Sequence, residues 1–62
     1  MRERLLADRE DARLKAIDSL ARYKFQMFGY WAAIWVHLNR LIGDGQANPF
    51  GPLVKAAREL RP

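Results

Sequence analysis

The side chains that could do chemistry in this chain are few and scattered. The 62 residues contain no cysteine, one histidine (His37) and one serine (Ser19). The carboxylate of Asp18 is adjacent to Ser19 in sequence and so points to a different face of a helix, which does not make a nucleophile–base pair. Gly43 and Gly45 do not form a phosphate-binding loop. The sequence therefore predicts no catalytic residue and a protein that is not an enzyme.

The sequence also gives no indication of a metal or cofactor site. A thiolate zinc site and a disulfide both need cysteine, and His37 has no second ligand at helical spacing. Chains shorter than about 70 residues usually need a disulfide, a metal or oligomerisation to supplement a small core. We therefore expect no cofactor and no metal, and we expect oligomerisation to supply the missing stability.

A polar row of Tyr23, Tyr30 and His37 is spaced by seven residues. One interpretation is a polar groove that contacts a ligand or stacks on bases. The simpler interpretation is a set of amphipathic residues at the border of a core, each with its polar tip in water. We favour the second, with His37 as a candidate pH-sensitive contact.

The charge of the chain favours an acidic partner. Its 11 Lys and Arg against 7 Asp and Glu give a net charge of +4, which suits nucleic acid or an anionic membrane. Acidic residues are interspersed through the first third of the chain and dilute any phosphate-tracking face. The candidate contacts to an anionic partner are Lys55, Arg58, Arg61, Arg22 and Arg40.

The helices that must position these residues follow from composition. Residues 3–23 contain no Gly or Pro and are rich in good helix formers, which predicts a charged helical arm. Residues 24–42 keep the helical pattern but turn apolar and aromatic, with Gly29 as the only breaker. We predict one long helix from about residue 3 to 42, bent or broken near Gly29; the alternative is two helices with a break between Gln26 and Gly29. Opposite charges four residues apart support the arm: Arg4–Asp8, Asp11–Lys15 and Asp18–Arg22.

Glycine and proline divide the rest of the chain. Gly43 is placed to cap the long helix, and residues 43–51 form a turn-rich connection. Residues 52–61 are predicted to form a short helix, which is too short to be stable alone and must dock on something. The whole chain, residues 1–62, is read as a single all-α domain.

The apolar residues of the long helix are too many for the rest of the chain to cover. Steps of three and four residues link Leu14, Ile17 and Ala21 to the aromatic segment, and a second row runs beside them. Exposing several large side chains favours association, so we expect a helical-bundle homo-oligomer, a dimer or higher. The predicted self-association interface comprises Phe28, Trp31, Ile34, Trp35, Leu38, Ile42, Met27 and Leu41.

These features predict an interaction or assembly module that acts as an adaptor or regulator of a larger complex, with a possible second protein partner. The alternatives are a small basic nucleic-acid-binding dimer and a peripheral helix on a membrane surface. Integral membrane insertion is not expected, because the apolar run is about twelve residues long and a span needs about 20. The charged residues 1–13 do not resemble a secretory signal, and the lack of cysteine fits a cytoplasmic location.

Overall fold

The computed structural model describes residues 1–61, which form three helices and no strand. Helix α1 spans Arg2–Ala21, α2 spans Phe25–Ile42 and α3 spans Gly51–Leu60. The prediction of an all-α protein is therefore confirmed. Helices α1 and α2 pack against each other as an antiparallel hairpin, whereas no Cα atom of α3 lies within 8 Å of a Cα atom of either.

The predicted single helix from residue 3 to 42 is not observed, because the chain reverses at residues 22–24. The reversal precedes both Gly29 and the alternative break between Gln26 and Gly29. Gly29 lies inside α2, where it is exposed and where an added Cβ would meet no atom within 4 Å. A lone glycine costs a helix only about 1 kcal/mol relative to alanine, which does not end it.

The hairpin turn depends on a tyrosine in an unusual backbone conformation. Tyr23 has a φ of 61°, in the left-handed region where a helix terminates. Its N–H donates to the Leu20 carbonyl at 3.0 Å, and the Lys24 N–H donates to the Ser19 carbonyl at 2.8 Å. This pair of bonds is the Schellman motif, in which glycine usually takes the left-handed position. A side chain there costs about 1–2 kcal/mol, so packing between the helices must hold the turn.

The two helices cannot use their inward faces in a continuous helix. Ser19 and Phe28 are the inward-facing residues nearest the turn, and they are nine positions apart in the sequence. Nine residues make about two and a half helical turns, which would place these residues on opposite sides of one helix. A reversal at Tyr23 brings both faces together, and this explains why the chain folds back.

The core lies between α1, α2 and the loop that follows α2. Ala12 and Ala16 are completely buried on α1, and Trp35 of α2, 2% exposed, packs against them. The loop residue Phe50 closes this cluster, with its ring centroid 6.1 Å from that of Trp35 and 5.4 Å from that of Phe28. Alanines on α1 therefore let the second helix come close enough to bury a tryptophan.

The apolar row expected on the first helix is not the one that is buried. Leu14 and Ile17 are 52% and 44% exposed. The buried positions of α1 are instead small residues three and four apart, Ala12, Ala16 and Ser19. Small side chains are buried on α1 because the facing side of α2 carries large aromatic residues. Close-packed interiors match large residues with small ones.

The Tyr23 turn gives a first prediction. Replacing Tyr23 by glycine is expected to raise the free energy of unfolding by about 0.5–1 kcal/mol, because glycine adopts positive φ without strain. The matched control is Tyr30→Gly, in which an exposed tyrosine inside α2 is changed, and it should lose about 1 kcal/mol. Urea titrations followed by circular dichroism measure both. If Tyr23→Gly destabilises the protein as Tyr30→Gly does, residue 23 is helical and the hairpin is incorrect.

The expected cap at Gly43 is confirmed. Gly43 has a φ of 68° and its N–H donates to the Asn39 carbonyl at 3.0 Å, which ends α2. Arg2 reaches across from α1 and donates to the Ile42 carbonyl at 3.2 Å. The connection then runs through residues 43–50 to α3, close to the predicted loop and short helix.

Candidate functional site

The eight residues of the predicted interface divide into two groups. Phe28, Trp35 and Ile42 recur every seven residues; Trp35 and Ile42 are buried, and Phe28 packs against the core. These three side chains contribute to the interior of the hairpin itself. Trp35 and Ile42 are therefore not free to meet a second molecule while the hairpin is closed, whereas Phe28 is half-buried.

The other five residues form a row that the hairpin leaves partly open, and we call this row the α2 seam. Its successive members are separated by four, three, four and three residues, the a/d spacing of a coiled coil. The two outer members are 44% and 58% exposed, and the three inner ones are half-buried. From one end of α2 to the other, the α2 seam consists of Met27, Trp31, Ile34, Leu38 and Leu41.

Contacts within the monomer already orient the Trp31 ring of the α2 seam. The Lys15 ammonium lies 4.5 Å from the ring centroid, a cation–π contact, and also pairs with Asp11 at 2.9 Å. The Tyr30 ring meets Trp31 edge-on, with centroids 4.9 Å apart. A partner that docks on the α2 seam thus meets an indole that is already positioned, which reduces the entropy lost on binding.

A polar cluster fixes the far end of α2 to α1. Arg9 binds Asp44 in a bidentate pair, with the two N–O distances at 2.8 and 2.9 Å, and also donates to the Asn39 side chain at 2.8 Å. Asn39 in turn donates to the Gln46 carbonyl at 3.1 Å. The charge-assisted bidentate geometry gives this link directional specificity. The loop is thereby tied across both helices.

The Arg9 pair lowers the pKa of the Asp44 carboxyl from its ordinary 3.8 to about 2, and the Gln46 backbone N–H adds to the effect. A lowered folded-state pKa means that the carboxylate stabilises the fold fully above pH 3.8 and loses that contribution as the pH falls towards 2. The stability of the hairpin should therefore contain a component that disappears in this acidic window.

This titration gives a second prediction. The Tm of Asp44→Asn is expected to fall below that of the wild-type chain at pH 7, and the difference should shrink steadily from pH 4 to pH 2. Asp8→Asn is the control, since Asp8 is exposed and forms no ion pair among residues 1–61. Thermal melts by circular dichroism at closely spaced pH values follow both differences. A constant Tm difference down to pH 2 would argue against the Arg9–Asp44 pair.

A second apolar surface lies on the other flank of α2, and we call it the α2–α3 groove. It is open, has a volume of about 500 Å³, and shares no residue with the α2 seam. All ten residues of α3 are exposed, including Leu53 and Val54 on the groove side. The groove is lined by Leu20, Phe25, Phe28, Ala32, Ala33, Val36, Asn48, Phe50, Leu53, Val54 and Ala57.

The five candidate basic residues do not form one patch. Arg22 follows α1 and pairs with Asp18 at 3.3 Å, whereas Arg40 lies at the other end of α2. Arg40 lies 15 residues after Phe25, the first residue of α2, so about 22 Å of helix separates it from the turn that contains Arg22. The remaining three, Lys55, Arg58 and Arg61, lie on or directly after α3. A continuous phosphate-tracking surface is therefore not built from this set.

The polar row of Tyr23, Tyr30 and His37 is also broken up. Tyr23 lies in the hairpin turn, so its spacing of seven from Tyr30 does not place the two on one helix face. All three side chains are exposed. The proposed polar groove is thus absent from the described part of the chain, and the simpler interpretation as border residues fits better.

The folded chain is more extended than a compact domain of its size. The folded chain exposes 5017 Å², whereas a folded monomer of 7.2 kDa ordinarily exposes about 4,100 Å². The difference is about 900 Å², and all ten residues of α3 are among those exposed. The radius of gyration, 12.5 Å, likewise exceeds the approximately 10.6 Å of a compact domain of this length.

Two other kinds of site, a membrane-spanning helix and a metal centre, are absent from the described residues. Within residues 1–61, no helix has the length and apolar character needed to cross a membrane. The same residues hold no cluster of three or more His, Asp or Glu side chains that could bind a metal ion. Comparisons with protein-family models, curated proteins and solved structures found no match to this chain.

Proposed function

We propose that this chain is a non-enzymatic helical interaction module that self-associates through the α2 seam and acts as an adaptor or regulator in a larger assembly. The observation that carries the proposal is the seam itself. Five large apolar side chains at coiled-coil spacing remain partly open beside the row of Phe28, Trp35 and Ile42 that is already used in the core. Coiled-coil spacing of this kind is what knobs-into-holes packing requires.

Two hairpins joined along α2 would make a four-helix bundle. A domain normally needs two packed layers around its core, and one hairpin supplies only a single layer, with a shortest dimension of 12 Å. A second copy would provide the other layer. Helices that meet through a/d rows cross at about 20° and pack 8–10 Å apart, as in other bundles.

The two ends of the α2 seam are equally far from its centre. Ile34 is seven residues from both Met27 and Leu41, so a two-fold axis at Ile34 pairs it with the same residue of the second copy. In an antiparallel pair of α2 helices, Met27 would then face Leu41 of the second copy. Such a self-complementary patch is what an isologous dimer interface requires.

The molar mass in solution tests self-association. Light scattering after size exclusion, without detergent and at low and high salt, is expected to give twice the 7.2 kDa of one chain. Salt should change the mass little, because the α2 seam is apolar and screening acts on charges. A mass of one chain at all accessible concentrations would overturn the proposal.

A further inference from the structure

We propose that the α2–α3 groove binds an acidic amphipathic helix of a different protein. Helix α3 has ten residues, and isolated helices shorter than about 12–15 residues are marginal in water. All ten of its residues are exposed, with Leu53 and Val54 43% and 47% accessible, so little packing on the rest of the described chain stabilises it. An occupant of the groove would contact α2 and α3 together and supply the missing packing.

The shape and lining of the groove suit a helix. Side chains of α2 form one wall, Leu53, Val54 and Ala57 of α3 form the other, and Phe50 connects them. Asn48 is the only polar residue among those that line it. An apolar trough between two helices takes the apolar stripe of a third, the usual geometry of helix-in-groove recognition.

The charge around the groove selects an acidic occupant. Residues 2–21 contain five basic and five acidic side chains, so the net charge of +4 belongs to residues 22–62, which supply all the residues that line the groove except Leu20. Lys24 directly precedes Phe25 at one end of the groove, and Arg22, which pairs with Asp18, lies two residues before Lys24. On α3, Arg58 follows Val54 by four residues, which places it beside the apolar stripe, and Arg61 directly follows the end of the helix.

Other occupants fit less well. A second copy of α3 would bring Arg58 and Arg61 against the same basic rim, and like charges facing each other oppose binding. A bilayer is flat and does not enter a concave trough. Nucleic acid gains its affinity from phosphate contacts, which the apolar lining does not offer. An amphipathic helix with carboxylates beside its apolar stripe satisfies both the lining and the rim.

This inference is independent of self-association. No residue of the α2 seam lines the groove, so the groove stays open on each chain of a dimer. Binding measured on the monomer or the dimer therefore tests the groove alone, and the molar mass without peptide tests the α2 seam alone.

The experiment uses a fluorescein-labelled peptide of about 18 residues, long enough to form a helix on binding, with Leu at helical i, i+3, i+4, i+7 spacing and Glu on its other faces. The control peptide carries Lys in place of Glu. Fluorescence anisotropy with the full chain is expected to detect the acidic peptide and not the basic one. Equal binding of both peptides, or of neither, would overturn the proposal.

Three variants locate the binding. Val54→Asp is expected to weaken binding at least about tenfold, because it removes one buried large side chain. Arg58→Glu is expected to weaken it about threefold to tenfold, as a rim charge does when reversed. Lys55→Glu makes the same charge change on the side of α3 away from the groove and should stay within about twofold. Val54 is 47% exposed, so circular dichroism should show that the hairpin remains folded in each variant.

Two results would point elsewhere and contradict the proposal. Equal losses in Arg58→Glu and Lys55→Glu would show attraction by net charge and not by the groove. Vesicles of phosphatidylglycerol or a single-stranded oligonucleotide that bind in a Val54-dependent way, while the acidic peptide does not, would assign the surface to a lipid or a nucleic acid.

Discussion

Replacing Trp35 by alanine is expected to remove most of the stability of the folded chain. Trp35 is 2% exposed and packs against Ala12, Ala16 and Phe50, which together form the core. Truncating a buried tryptophan costs about 3–5 kcal/mol. A domain of this length has a total stability of about 3–9 kcal/mol. The variant should therefore be unfolded or have a Tm lowered by about 12–40 °C.

Thermal melts followed by circular dichroism at 222 nm measure this loss, with Tyr30→Ala as the control. Tyr30 is an aromatic residue of the same helix that is 56% exposed, so its truncation should change the free energy of unfolding by about 0.5 kcal/mol or less. If Trp35→Ala melts within a few degrees of the wild-type chain, Trp35 does not pack inside the hairpin, and the division of the interface residues is incorrect.

Introducing a charge into the α2 seam is expected to dissociate the assembly without unfolding the hairpin. Met27→Glu and Leu41→Glu change side chains that the closed hairpin leaves largely open, so the monomer core is untouched. Each change occurs twice in a dimer, and each lost burial costs about 1.5–3 kcal/mol. Dissociation constants should therefore rise by about two to four orders of magnitude, which sedimentation equilibrium can measure.

The matched control for these variants is Leu14→Glu. Leu14 is 52% exposed, as open as the outer residues of the α2 seam, but it lies on α1 away from the seam. Its substitution should leave the dissociation constant unchanged. The reverse outcome, with dissociation by Leu14→Glu and none by the seam variants, would place the interface on the Leu14–Ile17 row.

The helix content and the end of α2 at Gly43 could be predicted because both depend on local sequence. Long runs of helix formers predict helices, and a glycine after the last apolar residue predicts a left-handed cap. The turn at Tyr23 gave no comparable signal, since tyrosine seldom adopts positive φ. Packing between Trp35 and the alanines of α1 selects this turn, and that packing is not local.

The choice of buried face on α1 was missed for a related reason. Apolar periodicity gives weight to large residues and so pointed to Leu14 and Ile17, whereas the buried positions are Ala12, Ala16 and Ser19. A row of small residues at three- and four-residue spacing, facing a tryptophan-rich segment, is the signal that could have identified it. The Arg9–Asp44 link joins residues 35 apart in the chain, and no short-range pattern predicts such a contact.

The candidate site could be predicted only in part, because local patterns identify its residues but not how the helices pack. The eight apolar residues of α2 could be identified as one broad arc, but their division between core and seam depends on where α1 docks. Predicting the groove requires knowing where α3 lies. The sequence shows α3 only as a short amphipathic helix that must dock on something. Two separate apolar surfaces on one small chain, the α2 seam and the α2–α3 groove, fit the proposed role of an adaptor.

Because the chain has no cysteine, single cysteines placed on α2 test the proposed interface most directly. Ile34→Cys lies at the centre of the α2 seam, where two copies in either orientation would bring the thiols within the Cα separation of about 5.5–6 Å that a disulfide favours. We predict rapid, nearly complete cross-linking of Ile34→Cys under mild oxidation, and little of Ala33→Cys, one residue away on the groove side. Cross-linking of Ala33→Cys but not Ile34→Cys, or of neither, would contradict self-association through the α2 seam.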